Sequence, residues 1–260
     1  YILLLMKKYI FLILILSLTL GSCNKADTPE HSLSLQEYGQ LGMPDHSKIW
    51  DINDYSMAFF VLNTLKVEKP KSLPARSSET SAVLFKRMIS LENLSFLKDE
   101  TLPLWARADR IKWFVNTLME LKVAYTLIGV EKQYYAREIM DIDIYRLSVL
   151  HKMLELGQLI NESEDPSDVA MQADFPQIQQ MYVDIIVALL EEQQNSSMYP
   201  RTSLELLSDS ISVSVKGNLD WFDETASGSI EEAMRSVMDH TTSRKIKSDY
   251  REVTKLLENS

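Results

Sequence analysis

"RIKWFVNTLMELKVAYTLIG", residues 110–129, decides the fold class. Ile111, Phe114, Val115, Leu118, Leu121, Tyr125 and Ile128 recur at three- and four-residue steps, which gathers them on one face of an α-helix. Pro103 suits a first helical turn, where its missing N–H leaves no bond unmade. Gly129 is a natural C-terminal stop. The stretch therefore predicts a long helix with an apolar stripe that must be buried against other elements.

The same period recurs on both sides. "DINDYSMAFFVLNTLKV" (51–67) offers Asp51 and Asn53 as caps, then Ala58, Val61, Leu62 and Leu65 on one stripe. "KPKSLPARSS" (69–78) is a loop, and "TSAVLFKRMISLENLSFL" (80–97) reads as one helix with Leu84, Met88 and Leu91 sharing a face. A further helix is predicted from Glu131 to about Leu159, phased by Tyr135, Ile139, Ile142, Val149, Met153 and Leu156. "NESEDPSD" (161–168) breaks it. Asp174 then caps another helix, with Pro176 in its first turn and a wide apolar face from Ile178 to Leu190. Residues 203–222 divide: "LELLSDS" is helical in pattern, "ISVSV" alternates like a strand, and helix is the reading adopted. Ser229 and Glu232 form a capping-box pattern opening a last helical region to Leu257, bent near Thr241–Ser243. No fixed-period repeat emerges, so a regular solenoid is not expected. The expectation is an all-α domain over residues 51–260, an antiparallel bundle of about six or seven helices.

Composition narrows the function classes. The chain has 260 residues, 45% of them hydrophobic, and a formal charge of −10. That charge repels phosphate backbones, so nucleic acid is not an expected partner. Only seven glycines occur, few for a fold that cradles phosphates on glycine-rich turns.

The single cysteine, Cys23, stands where "MKKYIFLILILSLTLGSC" ends. Lys7 and Lys8, an apolar run from Tyr9 to Leu20, then Gly21 and Ser22 follow the order of a secretory signal, with Met6 the natural start. The run is shorter than the ~20 residues that span a bilayer. Leu20-Gly21-Ser22-Cys23 resembles the lipobox of bacterial lipoproteins. The resemblance implies that residues 1–22 are removed and that Cys23 is acylated, by palmitate or similar chains, as the mature N-terminus. Loss of Lys7 and Lys8 takes the formal charge from −10 to −12. One thiol makes no intramolecular disulfide, and each buried acyl methylene adds about 0.8 kcal/mol of membrane affinity. Residues 23–50, rich in polar residues and without helical period, are expected to form a tether. Asn24 in place of aspartate favours the outer membrane. Lys25, Asp27 and Glu30 match a surface-export signal only loosely, so the periplasmic or surface face stays open.

"NESEDPSDVAMQ" (161–172) resembles the lytic transglycosylases, whose catalytic glutamate precedes serine and is followed by a Gly-Leu-Met-Gln segment. The resemblance implies Glu162 as a general acid for glycosidic cleavage, although the family's glycines are missing and the spacing is short. The other reading of the stretch is a solvated interhelical loop.

His151 and Glu155 stand four apart and could face one ligand. Metal sites need three or four such groups, while His31, His46, His151 and His240 are well separated, so a surface pair is expected and no metal. "DETASGSIEE" from Asp223 has the glycine of an EF-hand loop, but Met234 stands where the bidentate glutamate belongs. The capping box accounts for the same residues. Asp239 and His240 are neighbours without a nucleophile, and neither a G-x-S-x-G elbow nor an H-E-x-x-H helix occurs. Met57, Met88, Met119, Met153, Met181 and Met238 are expected in the core, or lining an adaptable surface. Arg244, Lys245, Lys247, Arg251 and Lys255 are expected to complement a helix C-terminus. Together these readings point to an envelope lipoprotein with a non-catalytic helical interaction domain and no cofactor. Its expected partners are the membrane, through lipid on Cys23, and an envelope protein. The alternative is a peptidoglycan-cleaving enzyme using Glu162.

Overall fold

Apolar periodicity and capping chemistry together set the elements. The computed structural model describes residues 33–126, 134–173, 175–194 and 199–258. Among them are ten α-helices and no strand: α1 Leu35–Gln40, α2 Ile52–Glu68, α3 Ala82–Met88, α4 Leu104–Tyr125, α5 Ala136–Asn161, α6 Pro166–Gln172, α7 Phe175–Gln194, α8 Arg201–Lys216, α9 Glu224–His240 and α10 Arg244–Leu257. Three of these, α1, α3 and α6, are a turn or two long; the others are longer, and together they make the all-α multi-helix bundle that the periodicity predicts as a class. Ser34, Asp51, Asp165, Asp223 and Ser243 cap α1, α2, α6, α9 and α10 through side-chain oxygens that accept first-turn N–H groups. Gly129, Glu131 and Asp174 lie outside the described residues.

The central element is α5. It packs on α4, α6, α7 and α8, and Ile142, Leu147, Val149, Leu150 and Leu154 along it are nearly or fully inaccessible. The end of α4 meets the start of α5 at Lys122 and Asp143. Ala108 and Ile111 near the start of α4 meet Leu156 and Ile160 near the end of α5. The two helices therefore run antiparallel. Helix α7 is also antiparallel to α5, with Ile178 beside Met153 and Glu192 reaching the Lys122–Asp143 pair.

The divided stretch 203–222 is helical through Lys216. Strand alternation would put Ile211, Val213 and Val215 on one face. Instead Ile211 and Val215 are fully buried and Val213 is 67% exposed, as a helix requires.

Three expectations are corrected. Residues 33–50 are part of the fold and not tether. Helix α1 is fixed by a Ser34–Glu37 capping box, and Tyr38, Met43 and Trp50 are buried. Gly42, at φ +96°, supplies the left-handed turn that brings the chain back after α1. The helix expected over 80–97 stops at Met88. There Asn93 Nδ2 donates to the Arg87 carbonyl (2.7 Å) and Tyr55 donates to the Met88 carbonyl (2.5 Å), so side chains satisfy the groups that a continuing helix would use. Leu91 is consequently exposed, in a 3-10 segment Leu91–Lys98. The loop 69–78 falls as expected, apart from a 3-10 turn Pro70–Ser72, and its centre is buried: Tyr38 donates to the Ser72 carbonyl (2.8 Å) and Tyr125 to that of Pro74 (2.6 Å), while the Arg76 N–H finds Glu138 Oε1 (2.8 Å). Finally, Asp223 caps α9, so Ser229 lies inside that helix with its hydroxyl donating to the Thr225 carbonyl. The break at Thr241–Ser243 falls as expected.

Candidate functional site

Helices α4 and α7 both lie along α5 but do not pack closely on each other. Between them Met153 of α5 forms the floor of an open groove of about 400 Å³. Lys112 of α4 stands on one wall, and Gln177, Ile178, Gln180, Met181 and Asp184 of α7 on the other. The groove continues at Met153 and Ile178 into a narrow apolar slot of about 30 Å³, where Met171 and Phe175 close the end. Gly157 makes that end possible, since a Cβ there would overlap the Phe175 ring. Met153 lines both cavities, with Met181 beside it in the groove and Met171 in the slot. Unbranched thioether side chains refill their contacts around differing shapes, and the volume lies within the ~300–1,000 Å³ range of ligand sites. Lys112 and Asp184, both exposed, put opposite charges on facing walls. Chemically the groove can bury an apolar segment and orient it by charge.

Residues singled out in the sequence are placed differently. Glu162 caps the C-terminus of α5, exposed, accepting only a 3.3 Å contact from Gln158. Its neighbours knit a turn: Ser163 donates to buried Asp168 (2.7 Å), and Gln172 donates to the Ile160 carbonyl (2.9 Å). The buried carboxylic acid that glycosidic cleavage needs is not at position 162. His151 and Glu155 do meet, Nε2 to Oε1 at 3.1 Å. Asn218 Nδ2 lies 3.0 Å from the other ring nitrogen, Nδ1. His46 lies beside Asp45, and His240 donates to the Ser236 carbonyl. Among the described residues no three histidine, cysteine or acidic side chains are grouped as a metal site requires. Residues 224–240 form one helix, so the EF-hand-like stretch is no calcium loop. Arg244, Lys245 and Lys247 open α10 instead of closing a helix. Lys245 there pairs with Asp249 (2.9 Å), and only Lys255 lies in a last turn. Met57 and Met119 are exposed, Met88 and Met153 buried. Cys23 and His31 lie outside the described residues.

No protein-family model, curated protein or solved structure matches this chain. The groove is therefore read from its own chemistry. No helix among the described residues is long and apolar enough to cross a membrane.

A buried ionic cluster escaped the sequence reading. Lys122 Nζ lies 2.7 Å from both Asp143 and Glu192, and Tyr199 donates to Glu192. Asp143 is 1% exposed. Burial pushes its carboxyl up to about 6 despite the pull of Lys122, while Glu192 adds to the rise. Burial also opposes charge on Lys122, but the two carboxylates outweigh it and hold the ammonium above its ordinary value. The cluster locks α4, α5 and α7 together at the opposite end from the apolar slot. The available signal was position: Asp143 falls four residues after Ile139, in the apolar phase of α5.

The sign of its pH dependence follows. A carboxyl whose folded pKa exceeds its unfolded value stabilises the fold below the unfolded value, and that contribution is lost as pH rises through about 6. The stability of wild type relative to Asp143→Asn should therefore fall from pH 4 to pH 7, by on the order of 1–3 kcal/mol. Urea melts of both proteins across that range measure the difference. A flat difference would mean that Asp143 stays ionised throughout.

Proposed function

We propose that the protein is an envelope lipoprotein, acylated on Cys23 and held to the bacterial outer membrane, whose helical domain binds and does not catalyse. The order of charge, apolar run, small residues and cysteine at 7–23 supports the anchor. The observation that carries the binding reading is the methionine-lined groove between α4 and α7. Its occupant is an apolar segment of an envelope protein, seated on Met153 and Met181 and oriented between Lys112 and Asp184. The solvent-facing position of Glu162 gives the glycosidase alternative no support.

Photo-cross-linking in native membranes tests the groove. A photoreactive phenylalanine analogue at position 180 should give one discrete adduct that disappears when Ile178→Glu puts a charge into the groove. Equal adducts from position 213, on the outer face of α8, or persistence in Ile178→Glu would reject the groove as the binding site.

A further inference from the structure

We propose that the end of the domain formed by Leu33, the C-terminus of α2 and residues 69–72 docks directly on the lipid headgroup surface of the membrane that holds Cys23. The inference rests on the lipoprotein reading and adds to it a fixed orientation of the domain.

The first observation is the length of chain between anchor and fold. Leu33 is packed against the core, and its carbonyl accepts from Thr80 Oγ1 (3.1 Å). Ten peptide units separate it from Cys23, and ten units reach at most ~35 Å even when fully extended. A domain of this size has a radius of gyration of roughly 17 Å, hence a diameter near 45 Å. The tether is shorter than the domain is wide, so Leu33 cannot turn to the far side of the domain from the bilayer, and the end around it is favoured toward the membrane.

The second observation is what that face carries. Leu33, Lys69, Pro70, Lys71 and Ser72 surround an open hollow of about 520 Å³. Val67 beside it is 82% exposed, more than any other large apolar residue described. Lys66 donates to the Val123 carbonyl (2.5 Å), which brings Val123, 57% exposed, to the same end. In a chain of charge −10 this end is locally neutral, with Lys66, Lys69 and Lys71 beside Glu37, Glu68 and Glu79. The Ser34 N–H and hydroxyl donate to the Glu37 carboxylate and hold it ionised, so it stays a negative charge close to Lys69. The Lys71 ammonium lies 5.2 Å from the centre of the Tyr134 ring. Apolar side chains ringed by lysines suit the headgroup boundary, where the valines enter and the ammonium groups meet lipid phosphates. Lipid is the occupant that fits, because the tether keeps this end within ~35 Å of the bilayer and lysines flank its exposed valines.

The test uses the full lipidated chain, floated with vesicles of phosphatidylethanolamine and phosphatidylglycerol containing a headgroup-region spin-labelled lipid quencher. With Cys23 acylated, a cysteine introduced by Val67→Cys is the one thiol that a fluorophore labels, and Val213→Cys on α8 is the distant control. Quenching at position 67 should exceed that at 213 at least fivefold. Lys69→Gln together with Lys71→Gln should weaken docking about 25-fold, a factor of about five for each lysine. If the protein floats with vesicles but neither position is quenched, the anchor stands and the docking proposal fails. If it does not float, the lipoprotein reading fails and the proposal falls with it. Protection of position 67 in native membranes but not in lipid vesicles would assign the face to a protein, against the proposal.

Discussion

Replacing Lys122 with methionine should cost about 3–5 kcal/mol of stability at pH 7, the loss that follows when a buried ion pair keeps its carboxylates and loses its cation. Lys122 is the shared partner of Asp143, 1% exposed, and Glu192, 29% exposed. Methionine fills a similar volume, so the loss reports the charge and not a cavity. The effect should shrink as pH falls through about 6, because Asp143 then takes a proton and no longer needs the ammonium. Urea melts at pH 7 and pH 5 read both features. A loss below about 1 kcal/mol at pH 7, or one independent of pH, would mean that water reaches Asp143 and that the cluster is solvated.

The second large effect is expected at Trp50. Its side chain is fully buried, its indole N–H donates to the Asp45 carbonyl (2.9 Å), and its ring meets Tyr55 edge-on at 5.6 Å. Its backbone N–H is satisfied by Asn93 Oδ1 (3.0 Å), the same side chain that ends α3. Trp50→Ala should destabilise the protein by about 3–5 kcal/mol, the range for removing a large aromatic from a core. Denaturant melts followed by far-ultraviolet circular dichroism measure this. A cost near zero would make residues 33–50 a dispensable appendage and restore the longer tether.

These two positions mark where the sequence could and could not be read. Helices α2, α4, α5 and α7 were legible because each carries an apolar stripe long enough to fix its phase, as in Ile111 to Tyr125. Residues 33–50 were not, since Tyr38 and Trp50 are single aromatics in a polar segment with no period around them. The end of α3 was hidden for a different reason. Its pattern continues through Leu91, but Asn93 and Tyr55 capture its last carbonyls from outside the helix. At Ser229 a real capping pattern lost to Asp223, which lies six residues earlier and starts the helix first.

The candidate site shows the same division more sharply. Met153 and Met181 were visible as residues of interest, yet their meeting with Lys112 depends on α4 and α7 lying apart on α5. No spacing along the chain carries that information. Glu162, in contrast, was singled out by local pattern alone. The fold puts it on a helix end in solvent, and the residues around it serve as hydrogen-bonding links between α5 and α6.

The proposed envelope partner of the groove and the proposed membrane-facing end both rest on acylation of residue 23, so the most direct measurement is the intact mass of the protein extracted from the membrane fraction, for wild type and Cys23→Ser. The account predicts a wild-type chain lacking residues 1–22 and carrying acyl chains on Cys23, and loss of that species together with membrane retention in Cys23→Ser. An uncleaved wild-type chain without acyl mass, with Cys23→Ser equally retained in the membrane, would contradict it.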